Sequence, residues 1–143
     1  MLNYEEYEKF LKNEAITYVI IMVVLIVALG ALLIFMNKKF FDDMGKVGKI
    51  IVNTFICVVL ISTSIYVGIH TYNAVSDINN KAYIVYEGEF EISSYREGYI
   101  TIFDGEKEIT LTNNFTSLSS GKYTGKLVYA KKSRILLECE ASE

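Results

Sequence analysis

Two long apolar stretches occupy the first half of the chain, and beyond residue 80 the pattern changes to alternation of apolar and polar positions. Ala15 to Met36 reads AITYVIIMVVLIVALGALLIFM and carries no formal charge. Its about 22 residues would span roughly 33 Å as a helix, against a hydrocarbon core of about 30 Å. Its Ile and Val content does not argue for a strand, because a lipid-exposed backbone must satisfy its hydrogen bonds within the segment. A signal peptide would begin with basic residues, whereas this block follows Glu5, Glu6, Glu8 and Glu14. Ile50 to Ile69 (IIVNTFICVVLISTSIYVGI) is the second uncharged block of membrane-spanning length.

The expected helical organisation is an amphipathic N-terminal helix over 1–14, transmembrane helices over 15–36 and 50–70, a basic cytoplasmic loop over 37–49 and a linker over 71–81. Tyr4, Tyr7, Phe10 and Leu11 give the first segment an apolar face, and Glu5 with Lys9 and Glu8 with Lys12 form i,i+4 pairs. That face is expected to rest in the lipid headgroup region, with a partner-binding role as the alternative. In the second span, Asn53 is expected to bond a neighbouring helix, and Ser64 with Gly68 has the small-xxx-small spacing that lets helices approach closely. These three are the helix-packing candidates, and they admit a homo-oligomer through the transmembrane helices.

Beyond the linker, a β domain is expected over 82–143. Tyr86, Gly88, Phe90 and Ile92 alternate with Glu87, Glu89 and Glu91, which separates an apolar from an acidic side on one strand. Tyr99–Phe103 and Lys107–Thr112 flank Asp104-Gly105, a dipeptide suited to a tight hairpin. Facing Phe103 with Glu106 across that loop pairs Ile100 with Ile109, and places Ile102 and Leu111 on the same face. Tyr123, Gly125, Leu127 and Tyr129 repeat the spacing of the first strand, so both strands are expected to bend at their Gly. Lys131, Lys132 and Ser133 form a turn, and Ile135, Leu137 and Cys139 a last strand. Five strands in about 60 residues suggest an OB-like or SH3-like β-barrel, because closure removes the open edges.

Composition narrows the function. A net charge of −3 supplies no basic excess for nucleic acid. The single His, His70, ends a span without neighbouring ligands, and phosphate loops, nucleophile elbows and zinc spacings are missing, so neither enzyme activity, cofactor nor metal is expected. Cys57 and Cys139 fall in different parts of the chain and are expected to be free, buried thiols. Glu87, Glu89 and Glu91 are read as a solvated face that Lys122 or Lys126 neutralises across strands, and as a surface available to a partner. Asn114-Phe115-Thr116 matches a glycosylation sequon, which carries meaning only in a eukaryotic secretory pathway.

The expected function is a membrane-anchored, non-catalytic protein-binding module, an accessory or immunity-type factor of the bacterial envelope. The alternative is an oligomeric membrane effector or pore-forming subunit with a barrel sensing domain, motivated by the polar residues of the second span. A membrane-bound hydrolase ranks third, lacking a paired nucleophile and base. The bias toward Lys, Ile, Asn and Tyr matches an AT-rich bacterial genome. Lys38, Lys39, Lys46 and Lys49 crowd the segment between the spans, which by the positive-inside rule keeps it cytoplasmic and puts both termini and the β domain outside. A single Cys introduced between Asn113 and Gly121 of a cysteine-free variant should therefore react with an impermeant maleimide on intact cells; reaction only after lysis would reverse the orientation.

Overall fold

The computed structural model describes residues 3–39, 45–93, 99–105, 107–112 and 118–142. Two long helices, α1 (Tyr4–Lys39) and α2 (Lys46–Asn80), pack as a hairpin and precede five strands: β1 (Tyr83–Ile92), β2 (Tyr99–Asp104), β3 (Lys107–Thr112), β4 (Gly121–Ala130) and β5 (Leu136–Ser142). The chain divides into two compact units, one of residues 13–72 and one of residues 1–12 with 73–143.

In the helical unit, both helices are long and apolar enough to cross a membrane. Most of their side chains are exposed, Ile20, Val24, Val27, Ile34, Phe55 and Ile65 among them. The less exposed positions recur at steps of three and four. In α1 they include Ala15, Tyr18, Met22, Leu25, Leu29 and Leu33; in α2 they include Asn53, Ile56, Leu60, Thr63, Val67 and His70. This is the spacing of a helix–helix seam with shallow left-handed crossing. The His70 ring stacks on Tyr18 of the opposite helix at 5.4 Å between centroids and meets Tyr66 of its own at 4.2 Å.

The second unit is built around a sheet of order β3-β2-β1-β4-β5. The two sequence repeats are neighbouring strands: β1 and β4 run antiparallel with Gly88 opposite Gly125, Phe90 opposite Tyr123 and Tyr86 opposite Leu127. Phe90, Ile92, Ile100, Ile102, Leu111, Tyr123, Leu127, Tyr129 and Leu136 form the buried core on the concave side. Gly125 is obligatory there, because a Cβ would lie 2.1 Å from the Glu140 carbonyl oxygen of β5.

The sheet is not closed into a barrel, which corrects the expected OB-like or SH3-like closure. Its edges touch at one parallel bridge, Thr112 with Ile135, where the Thr112 amide donates to the Arg134 carbonyl at 2.9 Å. Without a closing ladder the sheet still buries a core that includes Phe90, Ile100, Ile102, Leu111, Leu127 and Leu136.

The β2–β3 hairpin also departs from the expected register. Asp104 pairs with Lys107, Phe103 with Glu108, Ile102 with Ile109 and Ile100 with Leu111. The loop is Gly105 and residue 106 rather than Asp104-Gly105, and Gly105 takes the first loop position at φ +64°. Both primed turns require positive φ at that position, and glycine meets the requirement without strain. A shift of two residues preserves parity, so Ile100, Ile102 and Leu111 still share the core face.

The last strand departs more consequentially. A bulge between Val128 and Tyr129 pairs Val128 with Glu138 but Tyr129 with Leu136. The extra residue reverses the alternation. Leu136 and Cys139 therefore face the core, while Ile135 and Leu137 turn away from it, where an unbroken strand would have aligned Ile135, Leu137 and Cys139.

The residues turned away meet helix. Ile135 and Leu137 pack with Ala130, Leu11, Phe10, Ile78 and Tyr83 in a second apolar cluster. Residues 71–80, expected as a linker, are instead the last turns of α2, and the first turns of α1 bury Tyr7 and Leu11 rather than presenting them to headgroups. The Tyr7 hydroxyl donates to the Glu138 carboxylate, and burial followed by this carboxylate pushes its pKa up to about 12. Tyr83 packs its ring against Tyr4 and Tyr7.

Asp77, fully buried, fastens α2 to the β4–β5 turn. Its carboxylate accepts from the Lys132 amide at 3.0 Å, the Ser133 amide at 2.7 Å and the Ser133 hydroxyl at 2.9 Å. Lys81, at φ +48° just past the helix, ends α2 with its amide on the Ile78 carbonyl.

Lys at Ile100 should unfold the β unit, since burying an unpaired ammonium costs several kcal/mol, comparable to the whole stability of a small domain. Lys at Thr101, on the other face, should be milder; equal protease resistance of the two variants in detergent would overturn the register. Asp77→Ala should lower the midpoint of thermal unfolding, because each buried amide left without an acceptor costs about 1–3 kcal/mol. Asp77→Asn should fall between that variant and the parent, and an unchanged midpoint for Asp77→Ala would remove the clasp.

Candidate functional site

The exposed face of β1 carries Glu87, Glu89 and Glu91, and strand register decides what faces each. Glu87 lies opposite Lys126 and Glu91 opposite Lys122, but Glu89 lies opposite Thr124. Cross-strand neighbours of opposite charge stabilise one another. The flanking carboxylates thus have a cation across the ladder, whereas the central one has a threonine.

On its other side β1 pairs with β2 over only Phe90–Ile102, Glu91–Thr101 and Ile92–Ile100. Beyond Phe90 and Ile102 the strands part, and Glu89 and Phe103 are the first residues past the split. The Tyr86 hydroxyl crosses there, lying 2.8 Å from the Glu89 carbonyl oxygen and 3.2 Å from that of Phe103. Gly88 makes room for it, because a Cβ at that position would sit 2.8 Å from the Tyr86 hydroxyl oxygen.

A pocket of about 220 Å³ lies over the paired strands β1 and β4 beside the end of β2, lined by Glu89, Phe90 and Glu91, by Lys122, Tyr123 and Thr124, and by Phe103. The Phe90 and Tyr123 rings stack at 5.8 Å, and the Tyr123 hydroxyl donates to the Ser119 carbonyl at 2.9 Å. Phe103 is 53% exposed although it stands in a strand.

The remaining sequence candidates do not join this pocket. Asn53 lies on the α2 seam, and its side-chain oxygen is buried without a hydrogen-bond partner among the described residues. Ser64 returns its hydroxyl to the Leu60 carbonyl at 2.7 Å, as Thr63 does to Val59. Ser64 is half-buried, and Gly68 is exposed with open space where a Cβ would stand. Lys38 and Lys39 end α1, and Lys46 and Lys49 lie in the first turn of α2; the residues between, 40–44, lie outside the described ones, as does the sequon at Asn114. Cys57 is exposed on α2, against the expectation of a buried thiol, while Cys139 is half-buried and burial pushes its pKa up.

No group of three or more His, Cys, Asp or Glu side chains converges as a metal site among the described residues. Compared with known proteins, the chain matches no family model, no curated protein and no solved structure.

Phe103, Tyr86 and Thr124 escaped the sequence reading as site residues. Phe103 gave a signal, being the large apolar residue on the polar side of the alternation Ile100, Thr101, Ile102, Phe103. The end of the β1–β2 ladder at Phe90 and Ile102, beside which Phe103 stands, had none.

Proposed function

We propose that the chain is a membrane-anchored binding module, in which the two apolar helices insert in the bilayer and the outer face of β1, β2 and β4 receives a protein partner. The observation that carries this reading is the pocket over β1 and β4 beside the end of β2, with Phe103 held exposed beside Glu89. An exposed aromatic on a strand beside a concavity, with Tyr99 and Val85 also exposed in the same sheet, is the kind of anchor on which protein interfaces concentrate their binding energy. The bacterial envelope, with the sheet on its outer side and an accessory or immunity-type role, remains the setting favoured by the loop lysines and composition.

The strand order with β3 and β5 bridged in parallel at one point supports an OB-like connectivity short of closure over an SH3-like one, in which strand 5 rather than strand 4 would adjoin strand 1. This likeness concerns connectivity and carries no function by itself. The effector reading loses part of its motive, because the Thr63 and Ser64 hydroxyls bond within their own helix.

A photo-crosslinking residue at Thr124 in the full chain should give a discrete heavier adduct in cells that the same residue at Glu108, on the edge strand, does not. Overexpression should leave the dye-reported membrane potential unchanged. Absence of an adduct specific to position 124 would overturn the binding reading, and depolarisation would promote the pore-forming one.

A further inference from the structure

We infer that the pocket over β1 and β4, walled by Phe103 of β2, takes a basic side chain, arginine or lysine, presented by the protein partner; this rests on the binding-module reading and names the chemistry of what is bound. Three observations converge on it. Glu89 is the one member of its acidic row without a lysine opposite, since β4 sets Thr124 there while Lys126 and Lys122 stand across from Glu87 and Glu91. Phe103, 53% exposed, is the first β2 residue past the split and shares the pocket wall with Glu89. The pocket holds about 220 Å³, room for one long side chain rather than a folded element.

A cation lying on an aromatic face with a carboxylate at its end satisfies both features together. The ring attracts it through its quadrupole and the carboxylate accepts its N–H groups. The aliphatic stem of the same side chain covers apolar surface that Phe103 otherwise leaves to water. An acidic ligand meets two carboxylates at the wall, and a purely apolar one leaves Glu89 desolvated without a partner, which is costly. Lys122, opposite Glu91, bounds the pocket and makes it selective, since it offsets one carboxylate and leaves the other to the guest.

The Tyr86 hydroxyl prepares the site by holding the Glu89 and Phe103 backbones at the split, 2.8 Å and 3.2 Å from their carbonyl oxygens. A wall fixed beforehand loses less freedom on binding.

The test uses the full chain in nanodiscs and acetyl-Gly-Arg-Gly-amide as probe, with the citrulline peptide, of the same shape but uncharged, as control. The arginine peptide should shift the amide resonances of Glu89, Phe103 and Thr124 saturably, with the citrulline peptide at least about fivefold weaker. Glu89→Gln and Phe103→Leu should each weaken the arginine peptide by a similar factor, while Lys122→Gln should leave it equal or tighter. Equal binding of the two peptides, or an unchanged affinity in Glu89→Gln, would overturn the inference. Its failure is distinguishable from that of the binding-module reading: an adduct at position 124 that forms equally with Glu89→Gln in cells sinks only the basic guest, whereas loss of that adduct in Glu89→Gln supports it.

Discussion

One carboxylate in the last turns of α2 organises the β unit. Asp77 is fully buried and accepts two amides and a hydroxyl from the β4–β5 turn, so it supplies acceptors that the turn lacks within itself. A buried charge is tolerable only when its hydrogen bonds are made, and here each is to a short segment whose own geometry is constrained. The turn then feeds β5 into a ladder broken by the bulge at Val128 and Tyr129. The bulge turns Ile135 and Leu137 toward Leu11 and Ile78, which closes a second apolar cluster over the helical segments that Asp77 holds. Clasp and bulge are thus parts of one arrangement: the first brings helix to the turn, and the second turns side chains to meet it.

The parts of the fold legible in the sequence are those governed by local periodicity. Alternation locates all five strands, because inward and outward residues of β1 and β4 differ sharply in polarity. The dipeptide Asp104-Gly105 puts the hairpin loop one residue early, yet the resulting register error of two residues leaves every side chain on its own face. The bulge is not legible, since Ile135, Leu136 and Leu137 are all apolar and alternation among them carries no contrast. The seam between α1 and α2 is hidden for the same reason: where nearly every residue is apolar, the steps of three and four do not stand out.

The reading of residues 71–80 as a linker shows a different limit. Polar composition there resembles a connector, but Ala74, Asp77 and Ile78 continue the spacing of the α2 seam beyond His70, and Ser76 between them accepts from the Lys132 ammonium at 2.9 Å. A helix whose buried face is mostly polar or small gives little hydropathic signal, although its packing is as specific as that of an apolar one. The candidate site is half legible in this sense. The acidic row can be read from alternation; which of its members stands opposite a residue other than lysine depends on the pairing with β4, which also supplies part of the pocket's lining.

That dependence bears on which surface remains for a partner. The amphipathic face of the first helical turns would have been the natural docking surface, but Tyr7 and Leu11 are spent inside the unit. The concave face of the sheet is filled by its own core, and the side of β5 carrying Ile135 and Leu137 is covered by helix. The exposed Ile, Val and Phe of α1 and α2 belong to two helices long and apolar enough to cross a membrane. Phe103 belongs to neither helix and stands exposed beside Glu89, Glu91 and Lys122 in the β unit. Its place at the end of the β1–β2 ladder is fixed from the backbone side, where the Tyr86 hydroxyl lies 3.2 Å from the Phe103 carbonyl oxygen and 2.8 Å from that of Glu89, so the ring is set by the ladder and not by packing into the core.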